Sequence, residues 1–227
     1  MNPKRRRLVL GDIHGAHKAL IQVFDRAKFD PNNDELIFLG DVVDGWPDTR
    51  QCIDELLKVR HLISILGNHD VWAWQWMQDG WREEIWLSQG GRETVNSYRN
   101  HAIPQSHIDY FKNSRLYYLT PDNKLFVHAG FDPKIPIENQ SLETLTWDRE
   151  LFKNAFQKKK KLTTYDEVFL GHTTTESFSL EPVQMGDVWA LDQGAGWGGK
   201  LTLMDVDTKA YWQSDIVRTL YSAGGRH

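Results

Sequence analysis

The 227-residue chain has a single cysteine, Cys52, so no disulfide can form within it, and a reducing compartment is the simpler expectation. Cys52 lies in TRQCIDELLKV, an amphipathic pattern that suits a small half-buried side chain better than a nucleophile. No apolar stretch reaches membrane-spanning length, and the N-terminal run LVL is too short for the core of a secretion signal. A cytoplasmic protein without a membrane partner is therefore expected. Charge of one sign is lacking too. Lys and Arg number 27 against 31 Asp and Glu, a net −4 that argues against wholesale attraction to nucleic acid or an anionic membrane. The basic runs KRRR (4–7) and KKKK (158–161) read as solvated surface. No Pro- or Ser-rich linker interrupts the chain, so one domain over 1–227 is expected, long enough to bury a core.

What is present is repetition. LVLGDIHG (8–15), IFLGDVVD (37–44) and SILGNHDV (64–71) are each a short apolar run, then glycine, then Asp or Asn. Between the first two, Ala16, Leu20, Val23, Phe24 and Ala27 fall on one helical face. Between the second and third, Ile53, Leu56 and Leu57 form another stripe. Strand, helix, strand, helix, strand with short links predicts a parallel sheet of βαβ units. Ligands of such sheets bind beyond the carboxyl ends of the strands, where all three motifs land.

Farther along, a helical, Trp-rich segment is expected over about 71–115, with PQSHIDYFKNS (104–114) as a short helix. LYYLTPDNKLFVHAG (116–130) has hairpin chemistry. EVFLGHTT, VWALDQG, KLTLMDVD and AYWQ read as strands, the last two facing each other across VDTK. Two sheets with helices outside are the expected architecture.

Glycine at a strand end lets the backbone turn and carries the next side chain over the sheet edge. Here that delivers Asp12, Asp41 and Asn68, and two further strand ends add His128 and His172, with His14 two residues past Asp12. Carboxylates, an amide oxygen and imidazoles without thiolate suit divalent first-row metals. Asp12, His14 and Asp41 would serve one ion, and Asp41, Asn68, His128 and His172 a second, with Asp41 bridging. Such a pair, about 3.5–4 Å apart, activates water and clamps an in-line displacement at phosphorus.

In this order, GDIHG, GDVVD, GNHD, HAG and GHT, spread over residues 11–173, resemble the calcineurin-type metallophosphoesterases. Within them the pattern is similar to the phosphoprotein-phosphatase branch, especially its bacterial and phage members. LDQGAGWGGKLTLMDV (191–206) resembles the segment that closes that fold. The resemblance implies an α/β fold, a four-layer α/β/β/α sandwich of two mixed sheets flanked by helices. It implies two divalent metal ions, manganese first, with iron, zinc or magnesium compatible. His69 matches the histidine that protonates the leaving oxygen, Asp44 the carboxylate that orients it, and Arg149 in TWDRELF a phosphate-binding arginine. A nearby carboxylate favours imidazolium, the form a general acid needs.

The implied activity is a phosphatase on phosphoprotein Ser, Thr or Tyr or on small phosphoesters, by direct attack of a metal-bridging hydroxide. A dinucleoside polyphosphate hydrolase is the alternative, and a non-catalytic scaffold the rival from another class. The family's second motif usually runs GDxVDRG, but here Gly45 and Trp46 follow Asp44, so one phosphate-gripping arginine is missing. Either Arg149 and the metals suffice, or another residue such as Arg50 or Arg92 reaches in, or the substrate is not the usual phosphoprotein. Of 10 tryptophans, five fall within Trp72–Trp86, and they read first as packing of the helical segment, second as an aromatic wall at the site. His17, His61, His101, His107 and His227 match no motif.

Overall fold

A computed structural model describes residues 5–225; Lys4 of the first basic run and His227 lie outside them. Strand β1 (Arg7–Leu10), helix α1 (His17–Ala27), β2 (Glu35–Phe38), α2 (Thr49–Leu56) and β3 (His61–Ser64) follow one another as βαβ units. The three strands pair in parallel, Val9 opposite Ile37 and Ile37 opposite Ile63. α3 (Asn68–Asp79), α4 (Glu84–Trp86), a π-turn at Leu87–Gly91, α5 (Arg92–Ser97) and α6 (Gln105–Asn113) make the helical segment.

The chain then enters a second sheet. The hairpin β4 (Tyr117–Leu119) and β5 (Lys124–Val127) is followed by α7 (Leu142–Trp147) and α8 (Glu150–Lys158). β6 (Glu167–Leu170), β7 (Val183–Met185) and β8 (Val188–Ala190) complete it in the order β4-β5-β6-β8-β7. β7, which the apolar pattern does not announce, pairs antiparallel with β8. Finally β9 (Thr202–Asp205) and β10 (Tyr211–Gln213) return to the first sheet, ordered β10-β9-β1-β2-β3, before α9 (Val217–Leu220).

Strand alternation splits the apolar side chains into layers. Leu8, Leu10, Leu36 and Phe38 point outward and are covered by α1, α2 and the helical segment. Leu125, Val127, Val168 and Leu170 point outward from the second sheet onto Leu145, Leu151, Phe152 and Ala155 of α7 and α8. The residues between them, Val9, Ile37, Phe126 and Phe169, meet in the middle with Met204 and Val206. Phe126 and Phe169 stack there at 4.7 Å between ring centroids. Helix, sheet, sheet and helix are therefore the four layers, as the sequence resemblance implies.

Two local expectations change. The stripe on α2 stops at Leu56: Leu57 is 42% exposed, and Thr49 and Cys52 take inward positions instead. Cys52 is fully buried rather than half-buried, and burial pushes its thiol well above the usual range, leaving an inert core residue.

The interior between the sheets should dominate stability. Phe169→Ala is expected to cost about 3–5 kcal/mol in urea denaturation. Leu119→Ala on exposed β4 should stay within about 0.5 kcal/mol. Equal losses for the two would contradict the layer assignment.

A candidate dinuclear metal centre

Every motif read as a strand end sits at the carboxyl end of a parallel strand. Asp12 follows β1, Asp41 follows β2, Asn68 opens α3 after β3, His128 follows β5 and His172 follows β6. Both sheets thus contribute to one place. Candidate ligand atoms of Asp12, His14 and Asp41 lie within 4.8 Å of one another, and so do those of Asp41, His128 and His172. Asn68 joins the second group, its Oδ1 standing 3.1 Å from His128 Nε2. Asp41 is common to both groups: its Oδ2 is 3.7 Å from His14 Nε2 and 3.3 Å from His128 Nε2.

The backbone is bent at these points. His14, Asp41, Asp44 and His172 have φ of 50°, 58°, 67° and 61°, the left-handed region that non-glycine residues seldom occupy. The glycines play two parts, and the expectation of a turn holds for only some of them. Gly40 takes φ 101° ahead of Asp41. Gly171 instead provides clearance, since a Cβ there would come within 2.1 Å of Asp12 Oδ1.

The imidazoles are oriented from behind. His14 Nδ1 donates to the Val43 carbonyl at 2.9 Å and His128 Nδ1 to the Leu39 carbonyl at 2.8 Å. Each ring therefore turns Nε2 toward the site, as metal-binding histidines do when a carbonyl accepts from the other nitrogen. Asp70, unassigned by the sequence, braces the loop: its carboxylate accepts from the backbone N–H of Asp41 (2.7 Å), Val42 (2.9 Å) and Gly67 (3.0 Å). Burial, with Asp41 nearby, lifts this carboxyl to about 7.

Electrostatically the groups pull against each other. Burial raises Asp12 well above the usual carboxylate range, and Asp192 adds to it. Burial works the same way on Asp41, but the His128, His69 and His14 imidazoles overcome it and hold Asp41 well below that range. Burial disfavours charge on His128, yet Asp41 outweighs it and lifts His128 to about 10. Burial, His128 and Arg149 lower His172 to about 2. Asp12 Oδ1 and His172 Nε2 are buried without a hydrogen-bond partner among the described residues. Buried polar atoms are rarely left so, and a carboxylate oxygen and a neutral imidazole nitrogen are both electron-pair donors. The donor set fits two divalent cations.

Beside it stands a second constellation. His69 Nδ1 is 2.7 Å from Asp44 Oδ2, and Asp44 is fully buried. The same carboxylate accepts from the Trp86 indole N–H (2.7 Å) and the Thr94 hydroxyl (2.6 Å). Neither Trp86 nor Thr94 follows from a motif; a buried indole needing an acceptor was the available signal.

His14, Asp41, Asn68, His69 and His172 line one cleft of about 220 Å³, joined by Gln89, Trp147, Arg149, Thr173, Thr174, Asp192 and Trp197. Arg149 thus reaches the cleft. Arg50 and Arg92 do not line it: Arg92 pairs with Glu84 on the surface, and Arg50 has a buried Nε and acts on Tyr98 and His107. Gly45 contacts backbone instead of a ligand, receiving Gly225 N–H at 2.9 Å, and Trp46 is buried with its indole bonded to the Ala195 carbonyl. Of the tryptophan cluster, Trp76 and Trp86 are core, and Trp72 meets the His69 ring edge-on at 5.2 Å. The aromatics that line the cleft are Trp147 and Trp197, outside the cluster. Asp192 was legible by the strand-end rule, since it lies two residues past β8, but was missed.

Asp70→Ala would strand three buried N–H groups at about 1–3 kcal/mol each. A loss of at least about 3 kcal/mol by denaturation is expected; a loss under about 1 kcal/mol would mean that Asp70 braces nothing.

The profile of the calcineurin-like phosphoesterase family matches residues 5–197. Serine/threonine-protein phosphatase 1 of Salmonella typhimurium is 28% identical over 203 residues, covering 86% of this chain and 89% of that protein. The symmetrical bis(5'-nucleosyl)-tetraphosphatase of Pseudomonas putida is 24% identical and covers 91% of each chain. Among solved structures, a candidate diadenosine tetraphosphatase superposes with TM-score 0.71 at 20% identity, covering 99% of this chain and 95% of its own. A serine/threonine phosphatase from Saccharomyces cerevisiae gives TM-score 0.56 at 15% identity, covering 94% and 81%. These two share the fold. With the family profile spanning both halves of the sandwich and every strand end of the centre, the chain belongs to the calcineurin-like phosphoesterases and is a metal-dependent phosphoric ester hydrolase.

Proposed function

We propose that the chain is a phosphomonoesterase acting on esters of aliphatic alcohols, such as phosphoserine or phosphothreonine, or on small phosphoesters of the same kind. Asp12, His14 and Asp41 would hold one divalent cation and Asp41, Asn68, His128 and His172 the other, with manganese the first choice. When bound, such a pair supplies an activated water and positive charge at the phosphoryl oxygens. Arg149 grips a phosphoryl oxygen through its planar fork. His69 has Nδ1 engaged by Asp44, so Nε2 is the atom that holds the proton for the departing oxygen.

The observation that carries this reading is the His69–Asp44 dyad, a buried carboxylate with three donors beside the cleft. An alkoxide is a poor leaving group and needs a proton; a nucleotide leaving from an anhydride is weakly basic and needs one less. A dyad so firmly built supports the alcohol ester. The second reading, dinucleoside polyphosphate hydrolysis, is favoured by Trp147 and Trp197, each 37% exposed at the cleft, where a base could stack.

His69→Asn should lower kcat about 10²–10⁴-fold on phosphoserine peptides and distinctly less on nitrophenyl phosphate. Equal losses on both would remove His69 from the acid role. A parallel assay of diadenosine tetraphosphate separates the two readings. Manganese at a hundredfold excess over its Kd stabilises a single site by about 2.7 kcal/mol. In a chain of this size that should raise Tm by about 5–10 °C. Asp41→Asn should abolish the shift; an unchanged shift in that variant would refute the shared carboxylate.

A further inference from the structure

Besides His69 and the candidate metal ligands, the groups positioned to meet a substrate are Arg149, Gln89, Thr173, Thr174, Trp147 and Trp197. Arg149 is the one arginine or lysine in this lining among the described residues. The cleft also contains the carboxylates of Asp41 and Asp192, so positive charge for an anionic substrate is scarce.

Gln89 reaches the cleft through an irregular backbone. The π-turn Leu87–Gly91 joins α4 to α5, and within it Gln89 (φ −96°, ψ 23°) and Gly90 (φ 103°) leave the helical conformation. The Gly90 carbonyl accepts from the Gly45 N–H at 3.3 Å, and a Cβ on Gly90 would come within 2.7 Å of that nitrogen. The bulge is therefore pressed against the chain immediately after Asp44, and Gly45 itself holds φ 126°. Gln89 is half-buried, and no hydrogen bond to another described residue engages its amide. The amide of Gln89 thus lines the cleft from a seated backbone, bonded to no other described residue and open to a ligand.

The chemistry of an amide tells which ligand difference it reads. It carries two donors and an acceptor but no charge. The phosphoryl group of a monoester has two negative charges at neutral pH, and that of a diester has one. A cation at this position would be matched by the second charge of the monoester and would meet no such charge on an esterified oxygen. A neutral amide meets either oxygen at similar cost.

We propose that the charge at position 89 sets substrate choice, and that the neutral amide of Gln89 there narrows the site's discrimination between doubly charged and singly charged phosphoryl groups. The inference rests on the phosphoesterase reading of the cleft. Gln89 acts on substrate choice, whereas the dyad and the metal ligands act on turnover.

The test compares wild type, Gln89→Arg, Gln89→Lys and Gln89→Ala with manganese present. Two readouts are taken: kcat/KM for nitrophenyl phosphate against bis-nitrophenyl phosphate, and binding of phenyl phosphate against diphenyl phosphate by tryptophan fluorescence. The cationic variants should shift both monoester-to-diester ratios at least tenfold toward the monoester, while Gln89→Ala leaves them within about threefold. Thermal melts identify a variant that fails to fold, and Arg and Lys serve as mutual replacements. Ratios unchanged in both cationic variants would overturn the role of Gln89. Loss of all turnover in wild type would refute the phosphoesterase reading instead, and the binding ratios still decide the question of Gln89.

Discussion

A carboxylate with almost no exposed surface cannot stay ionised unless its lone pairs are claimed from several sides, and Asp41 is such a group at 2% exposure. Its Oδ1 accepts the His69 backbone N–H at 3.0 Å, and its Oδ2 faces the Nε2 atoms of His14 and His128. Its backbone is equally committed: its N–H goes to Asp70, and its carbonyl accepts from Ile13 and His14 at 3.1 and 2.9 Å. One residue therefore fixes the loops after β1, β2 and β3 relative to one another. Moving it by an ångström would uncouple both candidate ligand groups, which share no other side chain.

That convergence requires two sheets. Asp12, Asp41 and Asn68 come from the first, and His128 and His172 from the second. Phe126 and Phe169, on the strands that deliver the two histidines, stack against each other inside the sandwich. The inter-sheet core thus sets the distance at which the histidines meet the carboxylates. Links run across the seam as well: His128 Nδ1 reaches the Leu39 carbonyl, and the His172 N–H reaches Asp12 Oδ2 at 3.0 Å. Dry interdigitated layers tolerate little sliding, which suits a site whose ligands straddle them.

The parallel half of the first sheet was legible because apolar runs, helical stripes and glycine breaks agree with one another there. The six candidate ligands were legible for the same reason, each lying one to four residues past a strand. Asp70, Trp86 and Thr94 were not. Each acts through a contact between segments distant in sequence, such as Thr94 to Asp44 across 50 positions, and no local pattern encodes such a pairing. β7 was missed because VQM is three residues long and its register depends on β8. Asp192 is different in kind: the strand-end rule reaches it, two residues past β8, but none of the five short motifs contains it.

The tryptophan cluster resolves into a division of labour that composition alone leaves ambiguous. Trp76, Trp81 and Trp86 lie ring against ring, at 5.8 Å between Trp76 and Trp86 and 5.9 Å between Trp81 and Trp86. Most of their surface is spent on packing the helical segment against the first sheet. Yet Trp86, fully buried, turns its single polar atom to Asp44. A leucine of similar reach would fill the core but leave one lone pair of the Asp44 carboxylate without its donor. Packing and chemistry therefore meet in one side chain. The same segment ends in the π-turn seated on Gly45, so the helices that look like mere cover for the sheet hold both the dyad and the neighbouring wall of the cleft.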